Sequence, residues 1–450
     1  MSKNMIIGQS GGPTSVINSS LAGAIEYAFS CEEIGTVYGM INGIQGFLEE
    51  NIINLTKRFK GKPYDINRLR LTPAMFLGSC RYKLNDDEET YSQIIDMFKK
   101  YNIGYFLYIG GNDSMDTVDK LSKYTVSHNI DIKIVGVPKT IDNDLVGIDH
   151  SPGFGSAAKY IALAVKNVAY DTSIYSIKSV HIIEAMGRNA GWLTAASALA
   201  RDGDSVAPHL IYLPEIPFSV DKFVDDVKGK LDEYNSVIVV VSEGIKDENG
   251  EYISARGDKV DKFGHVMLSG TGAYLKSVVE ERIGCKVRAL EPSVLQRSAG
   301  HTASMTDVTE AYNLGVVAVK AALDGKTGVF STLRRISDLP YTVDYYTEQV
   351  SVVANNEKLV PRSWINEQGN DVTNKKVLEQ FEECNVYSHK ECKDCFAKLY
   401  CSGGCSANAY HTTGSVNGVY DFGCELHRKR IECAIMLKVA EAEEGFKVEY

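Results

Sequence analysis

No stretch of the sequence is apolar for long enough to cross a membrane. The longest apolar runs, such as residues 236–241, have the length of a strand, whereas a membrane-spanning helix needs about 20 apolar residues. The opening residues MSKNMIIGQSGG also lack a basic region followed by an apolar one, which is the pattern of an export signal. We therefore expect no membrane association and a cytoplasmic location.

Positive charge is also scarce. Lys and Arg number 48 against 58 Asp and Glu, which gives a formal net charge of −10. A negatively charged surface is repelled by a nucleic-acid backbone, so we expect no nucleic-acid partner. A local basic pocket for a small phosphorylated ligand is compatible with this net charge.

Cysteine is rare over most of the chain. Only Cys31, Cys80 and Cys285 lie in the first 383 residues, whereas seven cysteines crowd the last 67. This distribution argues against a general disulfide scaffold and indicates a metal or cluster module near the C-terminus.

Short β-branched or aromatic runs alternate with longer helical stretches up to about residue 330. The alternation predicts an α/β fold in which helices cover parallel sheets. The 450 residues, of which 44% are hydrophobic, suffice for two or three packed domains. Several predicted strands end in Gly, Ser, Asn or Asp, and ligands bind at such carboxyl ends of parallel strands. The predicted strands are residues 5–8, 105–109, 132–137, 180–184, 210–213 and 237–241.

Two strand–glycine–helix junctions have the features of phosphate-binding loops. Residues 6–20 read IIGQSGGPTSVINSS, and residues 105–115 read YFLYIGGNDSM. Glycines let the backbone approach a ligand, and a helix N-terminus attracts anions. The carboxylate of Asp113 would repel a phosphate unless a divalent cation lay between them, which implies Mg²⁺. Taken alone, these junctions are equally compatible with a tight turn or a helix N-cap.

A third junction, residues 135–144 (VGVPKTIDND), places Asp142 and Asp144 two residues apart after a strand. One of two such carboxylates can take a proton from an attacking hydroxyl while the other helps to hold a metal. An isolated DND is more often an exposed turn. However, three loops at strand ends within the first 145 residues have features of phosphate binding or carry carboxylates. This combination favours a catalytic site.

Charged side chains follow other predicted strands further along the chain. Residues 184–192 read EAMGRNAGW, Glu243 follows the run VIVVVS, and Arg288 and Arg297 frame a second loop. Arginines suit bidentate phosphate recognition, whereas a carboxylate accepts hydrogen bonds from sugar hydroxyls. Each residue alone is more often a surface ion-pair partner, but together they indicate a site for a phosphorylated polyol.

The chain resembles the phosphofructokinase family over about residues 1–373. The segments that carry the resemblance are, in order, GGPTSVIN, GSCRYK, GGNDS, PKTIDND, GFGSA, EAMGR, SEG and LQRSAGH. The resemblance implies two Rossmann-like doubly wound domains and transfer of a phosphoryl group to the 1-hydroxyl of fructose 6-phosphate, giving fructose 1,6-bisphosphate. It also implies Mg²⁺ as a cofactor and a homodimer or homotetramer, because family members share active sites between subunits.

The resemblance implies roles for individual residues. Asp142 is the expected general base, with Thr140 and Asp144 beside it. Asn112 and Asp113 are the expected Mg²⁺ ligands, although the family usually has Asp where this chain has Asn112. The expected donor-binding residues are Gly11, Gly12, Arg81, Tyr82, Gly111, Asp113, Ser114 and Lys139. The expected sugar-phosphate contacts are Met186, Gly187, Arg188, Glu243, Arg288 and Arg297.

The phosphoryl donor is predicted from two positions. ATP-using members of the family tend to have glycine where this chain has Asp113 and Lys139, whereas pyrophosphate-using members have Asp and Lys there. A side chain at residue 113 would occupy space needed by the inner phosphate of a nucleotide, and Lys139 would replace the lost contacts with its charge. We therefore predict pyrophosphate as the donor, free phosphate as a product and a reversible reaction in glycolysis and gluconeogenesis.

The chain is predicted to divide at about residue 375, where the composition changes. We assign residues 1–145 and 256–310 mainly to a donor-binding lobe, and residues 146–255 and 311–375 mainly to a sugar-phosphate lobe. Residues 376–450 form the predicted cysteine-rich tail.

The tail reads CKDCFAKLYCSGGC from residue 392 and has a further cysteine at position 424. Thiolates at this spacing can converge on zinc or on an iron–sulfur cluster, and the spacing alone does not separate the two. Over about residues 384–440 the tail is similar to the SPASM module of radical-SAM peptide maturases. That resemblance implies a [4Fe-4S] cluster on Cys392, Cys395, Cys401 and Cys424, with Cys405 belonging to a second cluster. The chain has no C-x3-C-x2-C motif, so radical-SAM chemistry is not predicted.

Two other functions fit the same sequence. One is an ATP-dependent 6-phosphofructokinase, and the other is an inactive kinase region that carries a metal-binding tail. Competition between pyrophosphate and ATP as donors distinguishes the ATP-dependent enzyme from the pyrophosphate-dependent one. Visible absorption by a cluster, together with no sugar phosphorylation, would favour the inactive kinase region.

Overall fold

The structure is a computed structural model, and it describes residues 2–80, 82, 84–202, 205–253, 270–338, 341–353, 356–373 and 436. One compact unit comprises residues 1–334 and 345–373, and a second comprises residues 335–344 and 374–450. No helix in the described part of the chain is both long and apolar enough to cross a bilayer.

The described residues contain eleven strands and twelve α-helices. The strands are β1 (Lys3–Gln9), β2 (Ile34–Met40), β3 (Ile52–Asn54), β4 (Ile103–Gly110), β5 (Lys133–Pro138), β6 (Ser179–Ala185), β7 (Leu210–Tyr212), β8 (Ser236–Ser242), β9 (Lys286–Leu290), β10 (Val329–Asp338) and β11 (Tyr341–Gln349). The first helices are α1 (Ile17–Phe29), α2 (Gly43–Leu48), α3 (Leu55–Phe59), α4 (Pro63–Leu71), α5 (Glu88–Lys100) and α6 (Asn112–Ser127). They are followed by α7 (Phe154–Ser173), α8 (Trp192–Ala196), α9 (Val220–Glu233), α10 (Thr271–Arg282), α11 (Leu295–Ser298) and α12 (Met305–Leu323).

The strands form two sheets. The first has the order β11-β10-β5-β4-β1-β2-β3, and the second has the order β7-β8-β6-β9. The central strands pair in parallel and are almost entirely buried, as their continuous apolar sequences predict. All six predicted strands lie in these sheets, with ends that differ by a few residues at most. The predicted α/β fold of parallel sheets with covering helices is confirmed.

The sheet pairing corrects the predicted assignment of segments to lobes. β9 pairs in parallel with β6 in the second sheet, although residues 256–310 were assigned with the first lobe. β10 pairs in parallel with β5 in the first sheet, although residues 311–375 were assigned with the other lobe. The reason is connectivity: α10 leads directly into β9 as a crossover beside β6, and α12 packs on α1 and carries the chain back to the first sheet.

Helices α1 and α12 approach each other so closely that side chains do not fit between their backbones. A Cβ atom on Gly23 would lie 2.0 Å from the carbonyl oxygen of Tyr312, and one on Gly315 would lie 2.1 Å from that of Ser20. The Ser19 hydroxyl donates to the carbonyl of Val308 at 2.5 Å. The close packing of α1 against α12 therefore fixes the position of α12, which in turn holds the start of α7.

Helix α12 anchors α7 through one buried carboxylate. Asp307 accepts hydrogen bonds from the backbone N–H groups of Gly153 and Ser156, both at 2.9 Å, and from the Ser156 hydroxyl at 2.6 Å. A carboxylate at a helix N-terminus satisfies N–H groups that have no partner within the helix. The loop between β5 and α7 therefore has a fixed end.

The close contact predicts a large effect for a single methyl group. We expect Gly23→Ala to lower the free energy of unfolding by about 1–3 kcal/mol, because the methyl group forces the two helices apart. Gly229→Ala on α9 is the matched control, since no atom lies within 4 Å of the added methyl group. Alanine is about 1 kcal/mol better than glycine inside a helix, so the control should be at least as stable as the natural chain. Urea unfolding midpoints measure both, and equal midpoints would contradict the proposed contact.

Candidate active site

The carboxyl ends of β1, β4 and β5 lie side by side and begin the three predicted loops. Gln9 is in register with Ile109, and Gly110 is in register with Pro138. The glycine pairs after β1 and β4 and the DND segment after β5 therefore meet at one edge of the first sheet. This is the edge at which ligands bind in open parallel sheets.

The loop after β5 is closed by its own hydrogen bonds. Thr140 N–H donates to the carbonyl of Pro152 at 3.2 Å, and the Thr140 hydroxyl accepts from Asp142 N–H at 3.0 Å. Asn143 has a left-handed backbone (φ +54°), and its amide oxygen accepts from Ser151 N–H at 3.0 Å. Asn is one of the few residues that adopt this conformation at low cost, and its side chain bridges the loop from inside.

Burial raises the pKa of both loop carboxylates. For Asp142 the negative charge of Glu243 adds to the rise, and the cations Lys139, Arg297 and Arg188 oppose it. For Asp144, burial and the charge of Asp142 act together. A carboxylate with a raised pKa is a stronger base than an exposed one, so this pair suits proton abstraction near neutral pH.

The glycine loop after β1 lies against two cations. A Cβ atom on Gly11 (φ +81°) would lie 2.9 Å from Lys139 Nζ, and one on Gly12 would lie 2.9 Å from an Arg297 guanidinium nitrogen. Burial lowers the pKa of Lys139 to about 8, while Asp142 and Asp144 act in the opposite direction. The absence of side chains on the glycines therefore leaves room for an anion beside Lys139 and Arg297.

The glycine loop after β4 opens directly into α6. Gly111 precedes the helix, and its carbonyl accepts from Ser114 N–H at 3.0 Å. The Ser114 side chain is buried against Gly110, where a Cβ atom would lie 1.9 Å from its hydroxyl oxygen. Asp113 is exposed in the first turn, and its charge acts on Lys139. The structure thus brings the predicted donor residues from β1, β4 and β5 together.

Asn112 contacts Asp144 across this edge. Its amide nitrogen donates to one Asp144 carboxylate oxygen at 2.9 Å. The remaining side-chain oxygens, Asn112 Oδ1 and Asp144 Oδ1, are buried and have no hydrogen-bond partner among the described residues. Hard oxygen atoms of this kind are what Mg²⁺ prefers, so the residues present fit this ion. No group of three or more His, Cys, Asp or Glu side chains converges in the described part of the chain, so substrate oxygens or water would have to complete the coordination.

The second sheet supplies the opposite wall. β6 and β8 end in register at Ala185 and Ser242, so the loop beginning at Met186 and the carboxylate of Glu243 are neighbours. Gly187 (φ +124°) donates its N–H to Glu243 at 3.4 Å and accepts from the Ser242 hydroxyl at 2.6 Å. Burial raises the pKa of Glu243 to about 7.

Arg188 and Arg297 bring positive charge between the two sheets. Both act on the carboxylates of Asp142 and Glu243. Arg188 Nε is buried without a hydrogen-bond partner among the described residues, which suits a guanidinium that awaits an anionic ligand.

Arg288 differs from the other predicted sugar-phosphate contacts. Arg288 lies on β9 with its side chain 54% exposed, and its guanidinium is 3.8 Å from Asp171 on α7. Tyr82, which was predicted to bind the donor, is half-buried. Arg81 and the cysteines Cys392, Cys395, Cys401, Cys405 and Cys424 lie outside the described residues.

Two residues of the site were missed by the sequence analysis. Gln296 is buried, and its side-chain oxygen accepts from Met186 N–H at 3.0 Å, which fixes the start of the second loop. Lys358 donates to Asn143 from a segment of irregular sequence. Burial lowers the pKa of Lys358 to about 8, and the charges of Asp149 and Asp144 oppose this shift. The only sequence signal for Gln296 was its position beside Arg297, and Lys358 had none.

Comparison with known proteins gives consistent relatives. A curated pyrophosphate–fructose 6-phosphate 1-phosphotransferase from Xanthomonas campestris is 40% identical over 375 residues, covering 82% of this chain and 88% of its own. The protein of the same name from Halomonas elongata is 40% identical over 390 residues, covering 85% and 90%. A solved pyrophosphate-dependent phosphofructokinase from Nitrosospira multiformis is 38% identical with a TM-score of 0.76, covering 84% of this chain and 91% of its own.

The family model described as phosphofructokinase matches residues 4–322. The matched range contains the second sheet and all of the first sheet except β10, β11 and the first residue of β1. It also contains the charged residues that act on Asp142, namely Lys139, Arg188, Glu243 and Arg297. The fold, the strand-end loops and the relatives agree, and the chain belongs to the phosphofructokinase family.

Proposed function

We propose that this chain transfers a phosphoryl group from pyrophosphate to the 1-hydroxyl of fructose 6-phosphate, giving fructose 1,6-bisphosphate and phosphate. The names of the relatives support this reaction, since they match most of this chain at about 40% identity. The observation that carries the proposal is the environment of Asp142, which is buried after β5. The charges of Glu243, Lys139, Arg297 and Arg188 all act on its carboxylate.

Asp142 is the proposed general base. Its carboxylate takes the proton of the 1-hydroxyl as that oxygen bonds to the transferred phosphorus, and the bond from phosphorus to the leaving phosphate breaks. Thr140 holds the Asp142 backbone through the hydrogen bond from Asp142 N–H. Phosphoryl transfer depends mainly on positioning and charge neutralisation, and the three cations supply the positive charge.

Mg²⁺ is the cofactor that phosphofructokinases generally use, and bound Mg²⁺ would neutralise charge on the donor oxygens. Asn112 Oδ1 and Asp144 Oδ1 are the proposed protein ligands. Asp113 was predicted as a ligand, but it is exposed at the start of α6, so we propose that Asp144 is the better candidate.

The sugar phosphate is proposed to bind at the second sheet. The guanidinium of Arg188 suits the phosphate, because its buried Nε has no hydrogen-bond partner among the described residues, and the carboxylate of Glu243 suits a sugar hydroxyl. Arg297 lies between this wall and Gly12, where it can contact either substrate.

Pyrophosphate is the proposed donor because Lys139 is buried beside Gly11 and because Asp113 is near it. A compact polyanionic donor suits a buried ammonium group. The side chain at position 113 occupies space that the inner phosphate of a nucleotide would need.

A homo-oligomer is proposed from an exposed apolar patch at the C-terminal end of α7 and just after it. Tyr170, Ile174, Tyr175 and Ile177 are 51%, 74%, 48% and 50% exposed. Exposed apolar clusters rimmed by charge often mark interfaces, and Lys286 Nζ lies 5.8 Å from the Tyr175 ring centre. We propose that Arg288, two residues from Lys286 on β9, contacts the sugar phosphate bound by the partner subunit.

Two further proposals concern the C-terminal tail and the location of the chain. Metal binding by the C-terminal tail rests on the spacing of its cysteines alone. A cytoplasmic location is proposed because the proposed reaction belongs to glycolysis.

The role of Asp142 is tested by Asp142→Asn. We expect kcat to fall about 10²- to 10⁴-fold, the contribution typical of a general base, with the KM for fructose 6-phosphate nearly unchanged. Because the pKa of Asp142 is raised, activity of the natural chain is lost as pH falls through that pKa, and the variant should lack this acidic limb. Asp131→Asn, at the opposite end of β5, is the control. An unchanged kcat in Asp142→Asn would remove the assigned base.

The donor is tested by initial rates with Mg²⁺ and either pyrophosphate or ATP. We expect a strong preference for pyrophosphate, and Asp113→Gly combined with Lys139→Gly should reduce that preference at least 100-fold. Asp116→Ala, one turn further along α6, is the control and should leave the preference unchanged. A preference for ATP in the natural chain would contradict the donor assignment, and no activity with either donor would contradict the proposed function.

The interface is tested by mass measurement in solution. We expect the natural chain to have the mass of two or four copies and Ile174→Asp to dissociate them, because a buried unpaired carboxylate is costly. Val126→Asp is the control, since Val126 is 62% exposed on α6 and lies outside the patch. A natural chain with the mass of one copy would rule the interface out.

A further inference from the structure

Lys358 reaches the catalytic loop from a segment more than 200 residues downstream. Its ammonium group donates to Asn143 Oδ1 at 3.1 Å, to the carbonyl of Ile148 at 3.1 Å and to the carbonyl of Asp149 at 2.8 Å. A lysine ammonium has three N–H donors, and each one has an acceptor here. All three acceptors belong to the loop that begins at Asp142.

The backbone of Lys358 adds two further contacts. Its N–H donates to the carbonyl of Asp144 at 2.7 Å, and its carbonyl accepts from Trp192 Nε1 at 2.7 Å. The ammonium group also lies 5.6 Å from the Trp192 ring centre, within the range of a cation–π interaction. Lys358 therefore connects the catalytic loop to the start of α8.

The residues on either side of Lys358 contact the loop that precedes α8. Glu357 accepts from the Asn189 amide at 2.9 Å. The Val360 N–H donates to Glu215 Oε1 at 2.9 Å, and the same oxygen accepts from Gly191 N–H at 2.8 Å. Residues 357–360 thus contact both the loop after β5 and the loop after β6.

We propose that Lys358 is a positioning residue for phosphoryl transfer: it holds Asn143 and so sets the relative orientation of Asp142 and Asp144. The proposal rests on the proposed function for the identity of the reaction. Asn143 separates the two carboxylates and has a left-handed backbone. Lys358 and Ser151 hold its amide oxygen from two sides.

Loss of this restraint affects the chemical step more than substrate binding. The groups that would bind the sugar phosphate follow β6 or β8 or lie on α11, and among the donor-binding groups only Lys139 shares the loop that Lys358 contacts. A displacement of about 1 Å in a reacting group can cost about 10²-fold in rate. Lys358 itself need not touch either substrate.

The proposal is tested with Lys358→Met, which keeps the length of the side chain and removes its three donors. We expect kcat with pyrophosphate to fall about 100-fold, while the KM for fructose 6-phosphate stays within about 3-fold. Lys358→Gln keeps two N–H donors and should lie between the natural chain and Lys358→Met. Lys326→Met is the matched control, because the ammonium group of this exposed lysine donates to the Thr347 hydroxyl and to no group of the site.

A double-mutant cycle shows whether Lys358 acts through Asn143. Asn143→Gly tolerates the left-handed backbone and removes the amide acceptor. If the two residues act together, Lys358→Met should lower kcat much less in the Asn143→Gly background than in the natural chain. Additive losses, a kcat within 3-fold of the control, or a raised KM with normal kcat would each overturn the proposal.

Hydrogen exchange gives a readout that does not depend on the reaction. In Lys358→Met, amides of residues 142–151 should exchange at least 10-fold faster than in Lys326→Met, while those of β8 stay unchanged. Unaltered exchange in the loop would overturn the positioning role even if the natural chain proved inactive with pyrophosphate and ATP. Inactivity of the natural chain with faster loop exchange would instead contradict only the proposed function.

Discussion

The active site depends on how the Asp142 carboxylate is kept ionised although it is buried. Burial raises the pKa of Asp142, and nearby cations lower it. A carboxylate that is withdrawn from water becomes a stronger base, but it also becomes harder to keep ionised. Lys139, Arg188 and Arg297 resolve the conflict, because each lowers the free energy of the anion without exposing it to water. These cations come from both sheets and from α11, so the site exists only when the two walls are assembled.

The same arrangement explains why so many glycines lie at the strand ends. Cations that neutralise a buried base must also leave room for a polyanionic substrate. Gly11 and Gly12 provide that room, since a methyl group on either one would lie within 3 Å of Lys139 or Arg297. The positive φ of Gly11 and of Gly187 further limits these turns to residues without a Cβ atom. Space and charge are therefore specified together by short stretches of sequence.

Much of this could be predicted because it is local. The segments after β1 and β4 each show a strand, a turn and a helix start within about 15 residues, and the DND segment closely follows β5. Parallel pairing then brings Gly11, Gly111 and Asp142 together. The sequence could not predict that β9 joins the second sheet and β10 the first, because crossovers of similar length can lead to either sheet. Gln296 and Lys358 also escaped prediction. Their roles depend on contacts with Met186 and Asn143, which lie 110 and 215 residues away in the chain.

The interleaved path of the chain has a consequence for its synthesis. The first sheet receives five strands before residue 139, the second sheet is then built, and β10 returns to pair with β5. Near the end of the described chain, the carbonyl of Asn370 accepts from Ile211 N–H at 2.9 Å, beside the second sheet. When β5 has emerged from the ribosome, it can pair with β4, but its other edge has no partner until β10 is made. An apolar strand with an unpaired edge is prone to non-native pairing. About 190 more residues must emerge before β10 covers that edge, so synthesis must pass through a stage in which neither sheet is complete.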